Sequence, residues 1–360
     1  MNRVRQNRQQ KGFSQAELAR MARISRSGLA AIERGELVPS VHAALALSRA
    51  LGASVEELFL PLPPEAPVWA WTPARLPCGF WRAEFPGGER LVPAQGEHPA
   101  SPAWDGWFDG GLLHFQAGPP QQTLVLACCD PAAGLLVAHL AQVGVRLVVL
   151  QRSSGEALEL LAAGAVHVAG LHLAGEHDSR GNSHLAGERL GAGFRLLRVA
   201  LWEEGVACQP AAVEEGLARL SRPEVRWVGR KPGAGARACQ DLVLGAGPAP
   251  ENLASDHSGV VAAIRQGWAQ AGVCPRYVAE AAELGFLSVR REPFDLCHSQ
   301  DLEQDPRLQA LSDAVRCRAF QQRLGCLPGY RVEGAGEMQA VVTSQDPPLN
   351  APAGGGLGTW

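Results

Sequence analysis

The chain has 360 residues, with 33 Lys/Arg against 36 Asp/Glu and 46% hydrophobic residues. At about 100–200 residues per domain this length predicts two or three domains, and the apolar content excludes wholesale disorder. The formal charge of −3 excludes a chain coated throughout with basic residues, and no apolar run approaches the roughly 18–20 residues of a membrane span.

The opening residues, Met1-Asn2-Arg3-Val4-Arg5, have no apolar segment behind their basic groups, so a secretory leader is not expected. Nine cysteines are scattered and never spaced C-x-x-C, which predicts reduced thiols in place of a disulfide framework or zinc ribbon. Cys128-Cys129 and Cys297-His298 are the tight pairs. Charge is uneven along the chain. Residues 1–60 hold nine Lys/Arg against five Asp/Glu, and the remainder holds 24 against 31. A basic head and an acidic body are expected to meet different partners.

Five short helices are expected in the head. One covers residues 3–10; a second is capped by Ser14 with Glu17 three residues on, the capping-box pattern. A third is capped by Ser25 and ended by Gly35, a fourth runs from Ser40 to a Gly52 stop, and a single turn follows at 55–59. At Gln15-Ala16-Glu17-Leu18-Ala19, Ile24-Ser25-Arg26 and Ile32-Glu33-Arg34-Gly35 the sequence resembles the phage-repressor (Xre-like) helix-turn-helix family. The resemblance covers about residues 3–59. It implies that 25–33 is the recognition helix, lying in the major groove of a double-stranded DNA operator. Ser25, Arg26, Ser27 and Ala31 then face the bases, Arg26 being suited to guanine, and Gln15 holds a phosphate. Arg8 and Glu33 fall where that family places a structural ion pair. Gly28 and Ala31 are short, which shifts readout toward phosphates, DNA shape and the spacing of a homodimer.

Residues 61–121 read as a connector. Its first part is proline-rich, and Trp69, Trp71, Trp81, Trp104 and Trp107 follow among many Pro and Gly. Gly79-Phe80-Trp81-Arg82 and Leu112-Leu113-His114-Phe115 fit short strands, and packing of the Trp residues onto the body is expected over a dimer interface.

From residue 122 the rhythm changes. Apolar runs at 123–128, 145–150 and 165–170 alternate with helical spacing at 132–142 and 155–163, which predicts βαβ units and a parallel sheet. Further strands are expected at 196–201, 225–228, 284–289 and 293–298, with helices near 211–220, 235–244, 257–270 and 306–325. Two strand-to-helix turns suit an anion: Gln151-Arg152-Ser153-Ser154-Gly155 and Arg230-Lys231-Pro232-Gly233-Ala234-Gly235-Ala236-Arg237. Neither matches a nucleotide-binding glycine motif.

At Cys129-Asp130-Pro131-Ala132, Ser153-Ser154, residues 164–173, Arg230-Lys231-Pro232-Gly233, Phe294-Asp295-Leu296 and Leu327-Pro328-Gly329-Tyr330 the body resembles a second family. This is the periplasmic-binding-protein-like domain related to molybdate-binding proteins, often fused behind a helix-turn-helix in bacteria. The resemblance spans about 122–338. It implies an α/β two-lobed type 2 periplasmic-binding-protein-like fold and an anionic effector, nominally molybdate or tungstate. It also implies ligand contacts from Ser153, Ser154, Gly235 and Arg237, with Asp130 and His172 near the cleft. The family's second loop carries serines where this chain has Ala234 and Ala236, so two hydroxyl donors are missing.

His167, His172, His177 and His184 crowd 18 residues, but 175–187 reads as a polar loop, and no metal site is expected. No G-x-S-x-G or H-E-x-x-H appears, so no catalytic residue is expected. The expected whole is a cytoplasmic, dimeric, one-component transcription regulator without a cofactor. An enzyme or accessory factor of molybdenum-cofactor metabolism is the alternative. Residues 339–360 are expected to form a disordered tail.

Overall fold

The computed structural model describes residues 4–59, 68–94, 102–116, 122–174, 181–245 and 250–343. The chain divides into two compact units, residues 1–68 and 69–360.

The first unit contains α1 (Val4–Gln10), α2 (Gln15–Met21), α3 (Arg26–Arg34), α4 (Val41–Leu51) and α5 (Val55–Phe59). Its helices start where side-chain acceptors meet orphan amides: Ser14 and Glu17 form a capping box, and Ser25 and Ser40 cap α3 and α4. Gly35 and Gly52 stop α3 and α4 at φ 78° and 56°, a backbone state that favours glycine. Leu18, Leu29, Ile32, Leu47, Leu51 and Leu58 fill the core. Beside them the Arg8 guanidinium holds Glu33, with Nε 2.6 Å from Oε1, and also donates to the Phe13 carbonyl at 2.8 Å.

The second unit opens with β1 (Val68–Trp69), β2 (Cys78–Phe85), β3 (Gly88–Pro93), β4 (Gly106–Phe108) and β5 (Leu113–Phe115), a sheet of order β1-β3-β2-β4-β5. The Trp-rich segment is therefore folded. Trp81, Phe85 and Val92 share a core cluster with Val125, Val148 and Leu150 of the following sheet. Arg146 ties the two together, bonding Asp105, Thr123 and the Arg82 carbonyl.

Next come β6 (Gln122–Cys128), α6 (Ala133–Ala141), β7 (Val145–Gln151), α7 (Ser154–Ala162), β8 (Val168–Leu171), α8 (Gly181–Leu190) and β9 (Phe194–Cys208). They are followed by α9 (Gly216–Leu220), β10 (Trp227–Arg230), α10 (Gly235–Leu244), β11 (Asn252–Ala254), α11 (His257–Arg265), β12 (Ala271–Pro275) and α12 (Arg276–Ala281). The last elements are β13 (Gly285–Ser299), α13 (Pro306–Arg316), α14 (Arg318–Gly325), β14 (Tyr330–Arg331) and β15 (Met338–Ala340).

The main sheet runs β11-β10-β12-β9-β13-β8-β6-β7. Strands β6, β7 and β8 pair in parallel, as do β10, β11 and β12, which gives two α/β lobes. Strands β9 and β13 pair antiparallel from Phe194–Ser299 to Cys208–Gly285 and run through both lobes. Each lobe has its own core, Leu126, Val149 and Phe294 in the first, Val228, Val260 and Cys274 in the second.

Three expectations change. Residues 284–289 and 293–298 are one strand, not two; Pro293 is accommodated because the register shifts at Phe294/Asp295. The polar stretch at 181–187 is helix, not loop. Its buried face is Asn182, Ser183, Ala186 and Gly187, so no apolar stripe marks it, and Asn182 instead bonds the Leu173 amide and the Pro293 carbonyl. The expected tail from 339 is folded at its start: β15 pairs with β9 through Ala340 and Val341 is buried, while residues 344–360 lie outside the described residues.

Burial raises the Glu33 carboxyl, but hydrogen bonds from Arg8 and Gln15 outweigh it and hold the group below its usual 4.5. Its contribution to stability is complete above that value and fades as pH falls through the lowered one. Glu33→Ala strands the Arg8 charge and should cost the helical unit about 3 kcal/mol at neutral pH. Hydrogen exchange of the α2 and α3 amides in the full chain reads this loss.

Candidate functional site

The DNA-facing candidate is the start of α3. The Ser25 Oγ accepts the Gly28 amide at 3.0 Å and lies 3.2 Å from the Ser27 Oγ. Ser25, Arg26 and Ser27 are exposed together at this helix end, and Ala31 is half-buried farther along. Gln15 starts α2 and donates its Nε2 to Glu33 at 2.9 Å, so the Arg8–Glu33 pair also fixes the phosphate candidate.

In the second unit a cleft of 510 Å³ opens beyond the C-terminal ends of β7 and β10. Ser153, Arg152, Lys231, Arg230 and Arg189 line it, with Glu156, Glu159 and Asp256 among them. Both predicted anion turns therefore meet at one place. Their contact is main chain: the Gly155 amide donates to the Gly233 carbonyl at 3.2 Å. Ser153 caps α7, and its hydroxyl donates to the Glu156 carboxylate at 2.9 Å. Helix α10 starts at Ala234 without a side-chain cap.

The other expected ligand residues lie elsewhere. Ser154 is buried and its Oγ accepts the His172 amide at 3.1 Å. Gly235 packs against His172, whose carbonyl and ring a Cβ would strike. Arg237 bonds Asp241 at 2.9 Å and lines a separate depression on the far side of the 232–235 turn. Asp130 is buried, accepting from the Tyr330 hydroxyl at 2.5 Å and from the Ala132 amide at 2.9 Å. Of the four crowded histidines, His167 bonds the Val125 amide, His184 lies 3.3 Å from Glu188, and His177 is outside the described residues.

His172 belongs to a buried polar cluster where β9 and β13 pass between the lobes. Its Nε2 lies 2.9 Å from the Cys129 Sγ and its Nδ1 2.9 Å from Glu292 Oε2. Glu292 also accepts from the Trp202 indole at 3.2 Å and is ion-paired with Arg290. Arg290 lies 3.8 Å from Glu204. From the second lobe His257 joins, its Nδ1 3.3 Å from an Arg230 nitrogen. Glu204 and Glu292 are 0% exposed, His172 1% and His257 2%.

Burial opposes charge on His172, yet the Cys129 sulfur and Glu292 carboxylate hold its pKa well above the ordinary imidazole value. Burial, with Arg230 and His172 nearby, drives His257 the other way and keeps it neutral. Burial and the Glu292 charge push the Glu204 carboxyl well above its usual value. Glu204, His257, Arg290 and Glu292 were not singled out from the sequence as site residues, and Cys129 only as half of the tight pair Cys128-Cys129. The available signal was the charged runs Glu203-Glu204 and Arg290-Arg291-Glu292 inside otherwise apolar strands.

Gly235→Ala should therefore push α10 off His172 and cost about 1–3 kcal/mol, as overpacking does in well-filled interiors. Urea unfolding followed by Trp fluorescence measures it.

The helix-turn-helix family matches residues 4–58, and the PBP superfamily domain matches 137–316, half of the chain. The HTH-type transcriptional regulator YgzD of Bacillus subtilis is 36% identical over 58 residues, which is 16% of this chain and 88% of that one. The Bacillus subtilis protein YvgK is 26% identical over 157 residues, 41% of this chain; the match spans half of YvgK's length. A phosphate ABC transporter substrate-binding protein from Clostridium perfringens aligns with TM-score 0.44 and 8% identity, over 57% of this chain and 97% of that one. The regulatory domain of MetR, a LysR family regulator from N. meningitidis, aligns with TM-score 0.41 and 10% identity, over 58% of this chain and 98% of that one. With its capped helical head and its two lobes joined by β9 and β13, the chain belongs to the PBP superfamily and carries a helix-turn-helix domain in front of the superfamily domain.

Proposed function

We propose that the protein is a ligand-responsive DNA-binding transcription regulator, acting as a cytoplasmic homodimer on a double-stranded operator. The observation that carries this reading is the fusion itself: a helix-turn-helix matched over 4–58 ahead of a PBP superfamily domain. Arg26 and Ser27 on the first turn of α3 supply base contacts, and the capped helix ends with Gln15 supply phosphate contacts. One such module makes too few contacts for useful specificity, which is the reason for a dimer.

The effector is a small oxyanion, molybdate or tungstate being the first to try, taken in the 510 Å³ cleft beyond β7 and β10. Arg152, Arg189, Arg230 and Lys231, which bring four positive charges to its wall, support this choice. Because the cleft is walled by one turn from each lobe, a bound anion favours one lobe arrangement and so biases the dimer. Ser153 serves this site from its rim. Arg237, across the 232–235 turn, serves it only if the turn rearranges.

Arg26→Ala should lower affinity for the operator by at least tenfold while nonspecific binding changes little, measured by fluorescence anisotropy on operator and scrambled duplexes. Unchanged operator affinity would favour the enzyme of molybdenum-cofactor metabolism. Calorimetry with molybdate, tungstate and sulfate should show one site per chain that Lys231→Ala weakens and Arg237→Ala leaves intact. Absence of heat with every oxyanion removes the anionic effector without touching the DNA-binding reading.

A further inference from the structure

Cys129, His172 and His257 each present one donor atom, and the three atoms lie within 4.8 Å of one another, with all three residues buried. Atoms so spaced surround a point no farther than about 2.8 Å from each. Zinc sits about 2.3 Å from sulfur and about 2.0–2.1 Å from imidazole nitrogen, so the Cys129 and His172 donors, now 2.9 Å apart, must separate to about 3.5 Å as the ion enters between them. Aromatic rings pack closely around the donors. The His172 ring meets Trp202 edge-on at 4.8 Å between centroids, and the His257 ring is 5.8 Å away.

Two further observations point to a ligand here. The Nε2 of His257 is buried and has no hydrogen-bond partner among the described residues, although the side chain is 2% exposed. A buried polar atom in that condition calls for a missing partner. Second, His172 gives its other ring nitrogen to Glu292 at 2.9 Å, the carboxylate–histidine pairing that orients metal-ligating imidazoles. One sulfur and two nitrogens suit late first-row cations, whereas Mg²⁺ and Ca²⁺ take oxygen.

We propose that Cys129, His172 and His257 bind one late first-row transition-metal dication, with Zn²⁺ the simplest fit, across the two lobes. Cys129 follows β6 and His172 follows β8 in the first lobe, while His257 opens α11 in the second. The ion replaces the proton shared by the Cys129 sulfur and the His172 Nε2, and that proton leaves to solvent. On His257 the Nε2 proton moves to Nδ1, and Arg230 gives up its 3.3 Å contact there while keeping the Ser255 carbonyl at 3.0 Å. Glu292 stays on the outer nitrogen of His172 as a positioning residue. This inference goes beyond the regulator reading and stands whether or not an oxyanion enters the cleft.

The test is a Co²⁺ titration of chelator-stripped full-length protein carrying Cys317→Ser and Cys326→Ser, which removes the two cysteines that are not buried. The expected result is one equivalent bound, with visible bands of tetrahedral cobalt, a near-ultraviolet thiolate-to-cobalt band, and displacement by Zn²⁺. Cys129→Ser should abolish the thiolate band, and His257→Gln should weaken binding at least tenfold with the band retained. Circular dichroism establishes that each variant is folded. Lack of stoichiometric binding by the parent protein overturns the proposal whatever the variants do, as does a thiolate band that survives Cys129→Ser. Neither readout involves DNA or oxyanions, so failure here is distinguishable from failure of the regulator reading.

Discussion

The second unit depends on one ladder, the antiparallel pairing of β9 with β13 over the full length of both strands. The rest of the main sheet is built outward from it: β8 pairs with one half of β13, β12 with the opposite half of β9, and β14 and β15 along β9, while β6 and β7 follow β8 and β10 and β11 follow β12. Antiparallel neighbours exchange hydrogen bonds at right angles to the chain, so a lobe cannot shift along these strands without breaking a run of them. Bending about the middle of the ladder is cheaper. Register irregularities at Ser288/Arg290 and Phe294/Asp295 already lie there.

The middle of that ladder is also where ionisable groups are concentrated without water. Glu204 on β9 and Glu292 on β13 are each adjacent to the passage between lobes, with Arg290 between them. Isolated charges would be too costly in such a place, and the cluster answers by pairing. Glu292 is served by His172, Trp202 and Arg290, while burial and its neighbour raise the Glu204 carboxyl well above its usual value. Apolar side chains would do the same structural task with fewer demands, which is why the polarity of the crossover drew the metal-site proposal.

Local physics was readable in the sequence. Ser14, Ser25 and Ser40 cap the helices they were expected to cap, because capping depends on residues three positions apart. The strand–helix alternation after residue 122 was equally plain, since buried parallel strands are apolar throughout. Reading failed where burial is polar. Helix α8 hides Asn182 and Ser183 inside, and Glu203-Glu204 and Arg290-Arg291-Glu292 interrupt long strands with charge. Of the candidate ligand residues, Ser153 reached the cleft because it lies on a strand-to-helix turn, a local feature. Arg237 did not, because its direction is set by how the 232–235 turn packs. Partners such as His172 and Glu292 are 120 residues apart, and no spacing rule connects them.

The contact between Gly155 and Gly233 joins the lobes through an amide and a carbonyl alone. Any replacement but proline at 155 leaves those atoms in place; what it adds is bulk at Gly155, where a Cβ would sit 3.0 Å from the Gly233 oxygen, and backbone strain at Gly233, whose φ is 87°. Sequence drift at Arg152 or Lys231 on the cleft rim therefore alters its charge without loosening the seam itself. The rim side chains and the main-chain contact can evolve separately.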